Sequence, residues 1–159
     1  MSFPDPHHDH HRCTVSLIAR AEQVCAERGS KLTPQRRDVL ACVAEGHEAV
    51  GAYDIIERMA GREGGARPAP ITIYRALDFL LAHNLVHKVE SRNAFVACSC
   101  AHGPDPAVLM ICEACGAVSE TAAAGLGREL ATLAGGEGFS PRRTVIEMTG
   151  RCARCAEGA

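Results

Sequence analysis

Two CxxC pairs, Cys112/Cys115 and Cys152/Cys155, stand in the C-terminal part of the chain. A spacing of two residues lets both sulfurs of a pair meet one ion, and two pairs supply the four thiolates of a tetrahedral structural zinc site. An apolar stretch precedes each pair, and the sequence between them reads as strand, helix, strand. A shared zinc would therefore tie the last strand back to the first. Four thiolates close the coordination sphere, and the chain contains no HExxH or similar base beside an open metal position. The expectation is a metal-clamped domain and not an enzyme.

The nine cysteines of this 159-residue chain do not read as a disulfide framework. Their number is odd, the CxxC spacing suits a metal, and Met1-Ser2-Phe3-Pro4-Asp5-Pro6 lacks the apolar core of a signal peptide. A reducing, cytoplasmic setting is expected. No stretch approaches the ~20 apolar residues of a membrane span. A net charge of −2 neither supports nor excludes a nucleic-acid partner, because a small basic face can sit in an acidic molecule. Residues 1–13, with His7-His8-Asp9-His10-His11, read as a disordered tail, or as a low-affinity metal-collecting arm.

The elements that must position these groups follow from periodicity. From residue 14, Leu17, Ile18, Ala21, Val24 and Cys25 form one helical face ending at Arg28-Gly29. Thr33-Pro34 is an N-cap followed by proline at the first helical position, with Val39, Leu40 and Val43 inward. A third helix spans Ala52 to Ala60, and a fourth runs from Thr72 to His83 with Ile73, Ala76, Leu77, Leu80 and Leu81 on its apolar face. Strands at 85–90 and 94–98, joined across Ser91-Arg92-Asn93, make a hairpin. Helices followed by a two-stranded hairpin suggest a winged-helix unit over 14–98. The Gly- and Pro-rich segment 99–107 reads as a hinge. Within 108–159 come strands at 108–111 and 117–120, a helix at 123–134 and a strand at 144–149. The fold class is α+β. Cys25 and Cys42 fall on apolar faces and read as core; Cys13 reads as part of the tail.

The fourth helix is the candidate DNA reader. Its apolar stripe faces inward, which leaves Thr72, Tyr74, Arg75 and Asp78 at or near the opposite side. Recognition helices present N-terminal residues to base edges, with arginine suited to guanine. Arg36, Arg37 and Arg92 are candidate phosphate contacts.

Leu32-Thr33-Pro34-Gln35-Arg36, Ala52-Tyr53-Asp54, Ile73-Tyr74-Arg75-Ala76-Leu77-Asp78-Phe79-Leu80 and Val86-His87-Lys88-Val89-Glu90-Ser91 resemble the ferric uptake regulator superfamily, most closely its zinc uptake regulator (Zur) branch. The resemblance covers residues 14–155 in order, including both CxxC pairs. It implies a winged-helix DNA-binding domain and a small α/β dimerisation domain, acting as a homodimeric, zinc-dependent repressor of zinc-uptake genes on palindromic operator DNA. Tyr53 joins Arg36, Thr72, Tyr74 and Arg75 among the implied DNA-contacting residues.

The resemblance also implies a second, regulatory zinc at the hinge, with His87, Cys98 and Glu120 as ligands and about two zinc ions per chain in all. A two-residue turn at Ser91-Arg92 would set His87 opposite Val96, with Cys98 its diagonal neighbour on the same face. His102 is the fourth ligand chosen, with Cys100 or Asp105 as alternatives, because Gly103-Pro104-Asp105-Pro106 departs from the family pattern. The ferric branch carries a His-His-Asp-His segment before its first CxxC, where this chain has Ala107-Val108-Leu109-Met110-Ile111. A thiolate in the site also suits zinc better than iron. The alternative is a relative sensing iron, or sensing oxidant through Cys98 and Cys100.

Overall fold

The computed structural model describes residues 3, 10–62, 67–99, 106–123, 125–142 and 144–157. The chain divides between Cys98 and Ser99 into two compact units.

The first unit contains four helices and a hairpin. Helix α1 spans His10–Glu27, α2 Pro34–Val43, α3 Ala52–Ala60 and α4 Pro70–Ala82. Strands β1 (Val86–Val89) and β2 (Ala94–Ala97) follow. Residues 10–13, read from sequence as tail, are helical. Thr14 explains part of this, since its single hydroxyl proton is shared between the His10 carbonyl at 3.0 Å and the Ala44 carbonyl at 3.4 Å. Helix α1 ends in a left-handed glycine, Gly29 (φ +62°), with Ser30 N–H bonded to Cys25 O at 2.8 Å and Gly29 N–H to Ala26 O at 3.1 Å. This pair of bonds satisfies carbonyls that the helix end would otherwise orphan. Asn84 (φ 55°) ends α4 the same way, with Leu85 N–H on Leu80 O and Asn84 N–H on Leu81 O.

Helices α2, α3 and α4 each start on a residue suited to the task. Thr33 caps α2 by accepting from the Arg36 amide, with Pro34 next in line. Asp54 accepts the Gly51 N–H at 3.2 Å at the start of α3. Proline opens α4, where its missing N–H costs nothing. The apolar faces meet in one core that includes Val39, Leu40, Ile55, Ile73, Leu77 and Leu80, all with no exposure. The hairpin pairs Val86 with Ala97, His87 with Val96, Lys88 with Phe95 and Val89 with Ala94. The His87–Val96 register agrees with the reading from sequence. The connection differs: Glu90–Arg92 form a 3₁₀ turn closed by left-handed Asn93, where two residues were expected. Val50 bonds Phe95 through both backbone groups at 2.8 Å, which ties the α2–α3 connection to the wing.

The second unit is a three-stranded sheet in the order β4-β3-β5, with β3 at Ala107–Cys112, β4 at Val118–Ala122 and β5 at Ile146–Gly150. Strands β3 and β4 are antiparallel, and β3 and β5 are parallel. Helix α5 (Leu126–Gly136) lies in the crossover, and α6 (Ala153–Glu157) follows β5. Helix α5 starts and ends two or three residues later than the periodicity suggests, after left-handed Gly125 (φ +87°). The buried residues of this sheet cluster on β3 and β4, among them Val108, Leu109, Ile111 and Val118.

Truncating the shared core of the first unit should be costly. Leu80→Ala is expected to destabilise that unit by about 2–5 kcal/mol, since the side chain is wholly buried among helices that cannot easily collapse on the void. Urea unfolding followed by circular dichroism checks this, and an unchanged midpoint would contradict the packing described.

Candidate metal centres and nucleic-acid interface

The parallel register of β3 and β5 sets Cys112 beside Gly150, and Glu113 N–H reaches Gly150 O at 2.8 Å. Both CxxC turns therefore leave the sheet at the same end. In the first, Cys112 N–H bonds Ala117 O and Gly116 N–H bonds Cys112 O, both at 2.9 Å, with Gly116 left-handed at φ +77°. In the second, α6 brings Cys155 back over Cys152, its N–H on Cys152 O at 3.0 Å. The four sulfurs lie within 4.8 Å of one another, and Cys112 and Cys152 are buried. Cys115 Sγ and Cys152 Sγ are 3.9 Å apart, far beyond a disulfide bond of ~2.05 Å. Four sulfurs held ~2.3 Å from one ion in a tetrahedron stand ~3.8 Å apart, so the cluster fits zinc.

The thiols do not titrate alike. The Cys152 N–H, which lies 3.4 Å from Cys112 Sγ, and then the Cys115 N–H hold the Cys112 thiol down to about 6. Cys152 is also lowered, first by the Cys155 N–H. Cys155 is pushed up to about 12, first by its hydrogen bond with the Cys152 sulfur and then by that with Cys115. Protons are thus retained by the metal-free cluster across neutral pH, and zinc must displace them.

The other predicted ligands are placed within their own units. In the first unit, His87 is half-buried on β1, and Cys98 follows β2 with 2% exposure. Their ligand atoms lie within 4.8 Å of each other. In the second unit, Glu120 on β4 is 8% exposed, and its carboxylate accepts from Ser99 N–H at 2.6 Å and Ser99 Oγ at 3.0 Å. His102, Cys100 and Asp105 lie outside the described residues. Sequence reasoning missed two polar partners. Ser99 holds Glu120, and Arg20 Nη2 donates to the Cys98 carbonyl at 2.5 Å. Neither carries a local signal, because hydrogen bonds spanning so much chain leave no periodicity.

Helix α4 exposes Ile71, Tyr74, Arg75 and Asp78 at helical spacing, and Thr72 is half-exposed. Tyr53, in the first turn of α3, is 65% exposed. Arg36 also has partners within the unit. Its guanidinium lies 3.5 Å over the Phe79 ring and donates to Lys31 O at 2.6 Å, so it packs α2 against α4. His83 stacks on the same ring with centroids 3.9 Å apart. Arg37 is ion-paired with Glu22. Arg92 is exposed in the wing turn.

A family model described as "Ferric uptake regulator family" matches residues 27–149. The zinc uptake regulation protein of Escherichia coli (strain K12) is 44% identical over 145 residues, which cover 91% of this chain and 84% of that protein. Among solved structures, a zinc uptake regulator complexed with zinc and DNA is similar with a TM-score of 0.83 and 42% identity, covering 91% of this chain and 96% of that one. Holo XcZur is similar at 0.78 and 37%, covering 89% and 98%.

Loss of one cluster sulfur should be severe. Cys152→Ser is expected to lose the tightly held zinc and the cooperative unfolding of the second unit, because structural zinc contributes about 10–16 kcal/mol in small domains. Zinc analysis with calorimetry checks this; a stable second unit with wild-type zinc content would sink the assignment. Zinc affinity should also rise with pH from about 6 towards about 12 as the apo thiols release their own protons. It should fall more steeply below about 6, where Cys112 as well as Cys155 holds its proton. Chelator competition at several pH values reads this directly.

Proposed function

Because the chain belongs to the ferric uptake regulator family, we propose that it is a zinc-responsive, homodimeric transcriptional repressor. It binds palindromic operator DNA that controls zinc-uptake genes when a regulatory zinc site is filled. The observation that carries this reading is the donor chemistry. His87 and Cys98 present a nitrogen and a sulfur within 4.8 Å, a pair that suits zinc over iron or manganese. The relatives named for zinc uptake support the same metal.

The roles divide by unit. The winged-helix unit (14–98) reads DNA, residues 99–107 form the hinge, and residues 108–159 build the dimer. Cys112, Cys115, Cys152 and Cys155 hold a permanent zinc. His87, Cys98 and Glu120, with His102 as the fourth donor, hold an exchangeable one. A zinc ion bound there supplies a cross-link among donors from separate segments. Glu120 is suited to the part: it is a buried carboxylate, and it bonds Ser99, the residue that begins the second unit. Two regulatory sites per dimer would favour one spacing of the paired α4 helices, which is why the operator is expected to be a palindrome.

Dimerisation is supported by what the second unit leaves uncovered. None of the α5 side chains is buried, and Leu133, Phe139, Val145 and Met148 are 41–68% exposed. A second copy is the partner that would cover them. On α4, Arg75 is the base reader, with Thr72, Tyr74 and Tyr53 beside it, and Arg36 acts by holding α4 on α2. The chain is a regulator and not an enzyme, and it works in the cytoplasm with its DNA. Among the described residues no helix is long and apolar enough to cross a membrane.

His87→Ala should keep the fold and the four-cysteine zinc yet abolish zinc-dependent operator binding in a mobility-shift titration. Full binding by that variant on zinc addition would show the regulatory site to be elsewhere. Arg75→Ala should weaken operator binding by about 1–3 kcal/mol and relax preference at one base pair, with zinc content unchanged. Equal weakening on operator and random DNA would instead mark Arg75 as a phosphate contact.

A further inference from the structure

Both backbone polar groups of Cys98 are held inside the first unit. Its N–H donates to Leu85 O at 3.0 Å, which continues the β1–β2 ladder one step past Val86–Ala97. Its carbonyl lies beyond that ladder and accepts from Arg20 Nη2 at 2.5 Å. Arg20 is carried on α1, whose Leu17 and Ala21 are anchored in the core on either side of it. Arg20 is half-buried, and its guanidinium extends from α1 across to the last residue before the unit boundary.

We propose that Arg20 is a positioning residue for the regulatory zinc: by holding the Cys98 carbonyl it fixes the sulfur at the place where it and His87 can share one ion. The inference rests on the reading that His87 and Cys98 ligate that zinc. Its physical basis is that a tetrahedral site with ~2.0 Å to nitrogen and ~2.3 Å to sulfur tolerates little drift of either donor. The side chain of a residue bound by only one of its two backbone groups can swing with the peptide that follows. Cys98 is the last residue before the unit boundary, so of the two ligands in the first unit it is the one more exposed to that motion. Arg20 stops the swing on the far side of the residue from Leu85. Groups that orient ligands in this manner typically change metal affinity 10–100-fold when removed.

The test uses the full-length dimer with its four-cysteine zinc in place, comparing Arg20→Met, Arg20→Lys and His87→Ala with the natural chain. Affinity for the exchangeable zinc is read by chelator competition. Cobalt(II) loaded at the same site reports the cysteine through its thiolate-to-metal absorption. Arg20→Met should bind the exchangeable zinc ~10–100-fold more weakly and give a weaker thiolate band, with an unchanged thermal midpoint. Arg20→Lys, which keeps a charged donor, should recover most of both. The inference fails if Arg20→Met keeps natural affinity and a full band while His87→Ala loses the zinc; the site would then stand without Arg20. It also fails if the thermal midpoint drops together with affinity and lysine restores neither, which marks general destabilisation. Retention of the zinc by His87→Ala would overturn the site itself, and the role of Arg20 with it.

Discussion

The parallel pairing of β3 with β5 is the constraint on which the second unit depends. Parallel strands cannot be joined by a tight hairpin and need a crossover, which normally packs its helix on the sheet. Here α5 lies in the crossover yet buries none of its side chains, and β5 itself is no more than half-buried. What holds β5 in place is its hydrogen-bond ladder to β3 and the gathering of four cysteines where the two strands end. A cross-link at that point frees the crossover from the work of stabilisation. Leu133 and Phe139, in and just after α5, and Val145 and Met148, at and within β5, then remain available to a partner. The four thiolates and the exposed apolar surface are thus two sides of one solution. A unit this thin in core gains from an internal staple, and it leaves apolar surface of the kind a second copy would cover.

The first unit solves a different problem with α1. Helix ends and the ends of hairpins leave carbonyls unsatisfied, and each needs a donor. Thr14 supplies one to Ala44 just past α2, Arg28 one to Ala82 at the end of α4, and Arg20 one to Cys98 past β2. Thr14 and Arg20 sit on α1, and Arg28 stands one residue past its end. The position of α4 and the end of the wing are therefore referred to the same body. Burial of Leu17 and Ala21 anchors that helix in the core, and polar bonds at its margins set what it aligns.

Much of this was legible in the sequence, and the reasons are local. Thr33-Pro34 and Arg28-Gly29 mark helix ends because caps and left-handed glycine are one-residue requirements. The inward stripe of α4 follows from spacing alone, and so does the pairing of the CxxC sulfurs. The His87–Val96 register was legible too, although its connection was not, because a 3₁₀ turn closed by Asn93 gives the same alignment as a shorter turn. The misses are non-local. The start of α1 at His10 depends partly on Thr14 meeting a carbonyl on another helix. The seat of Arg36 on the Phe79 ring was not legible, because that ring lies on a distant segment of chain. The family resemblance could name His87, Cys98 and Glu120, but the bonds that Arg20 and Ser99 make to two of them are properties of the folded chain.

The same non-locality explains why net charge says so little here. Several arginines of the first unit face glutamates: Arg37 with Glu22, Arg58 and Arg62 with Glu45, and Arg67 with Glu57. These pairs are exposed, so each adds little stability, but together they cancel much of the positive field the chain would otherwise spread. Arg75 makes no ion pair with another described residue, and its neighbours on the exposed stripe include Ile71 and Tyr74. A face that sets Arg75 among Ile71, Tyr74 and the carboxylate of Asp78 is poor at holding phosphates indiscriminately. It is better suited to base edges and thymine methyl groups, where an arginine fork and apolar contact both discriminate. Weak general attraction with selective contact is also what a metal-gated switch requires. If phosphate contacts alone held the protein on DNA, an empty regulatory site would scarcely release it.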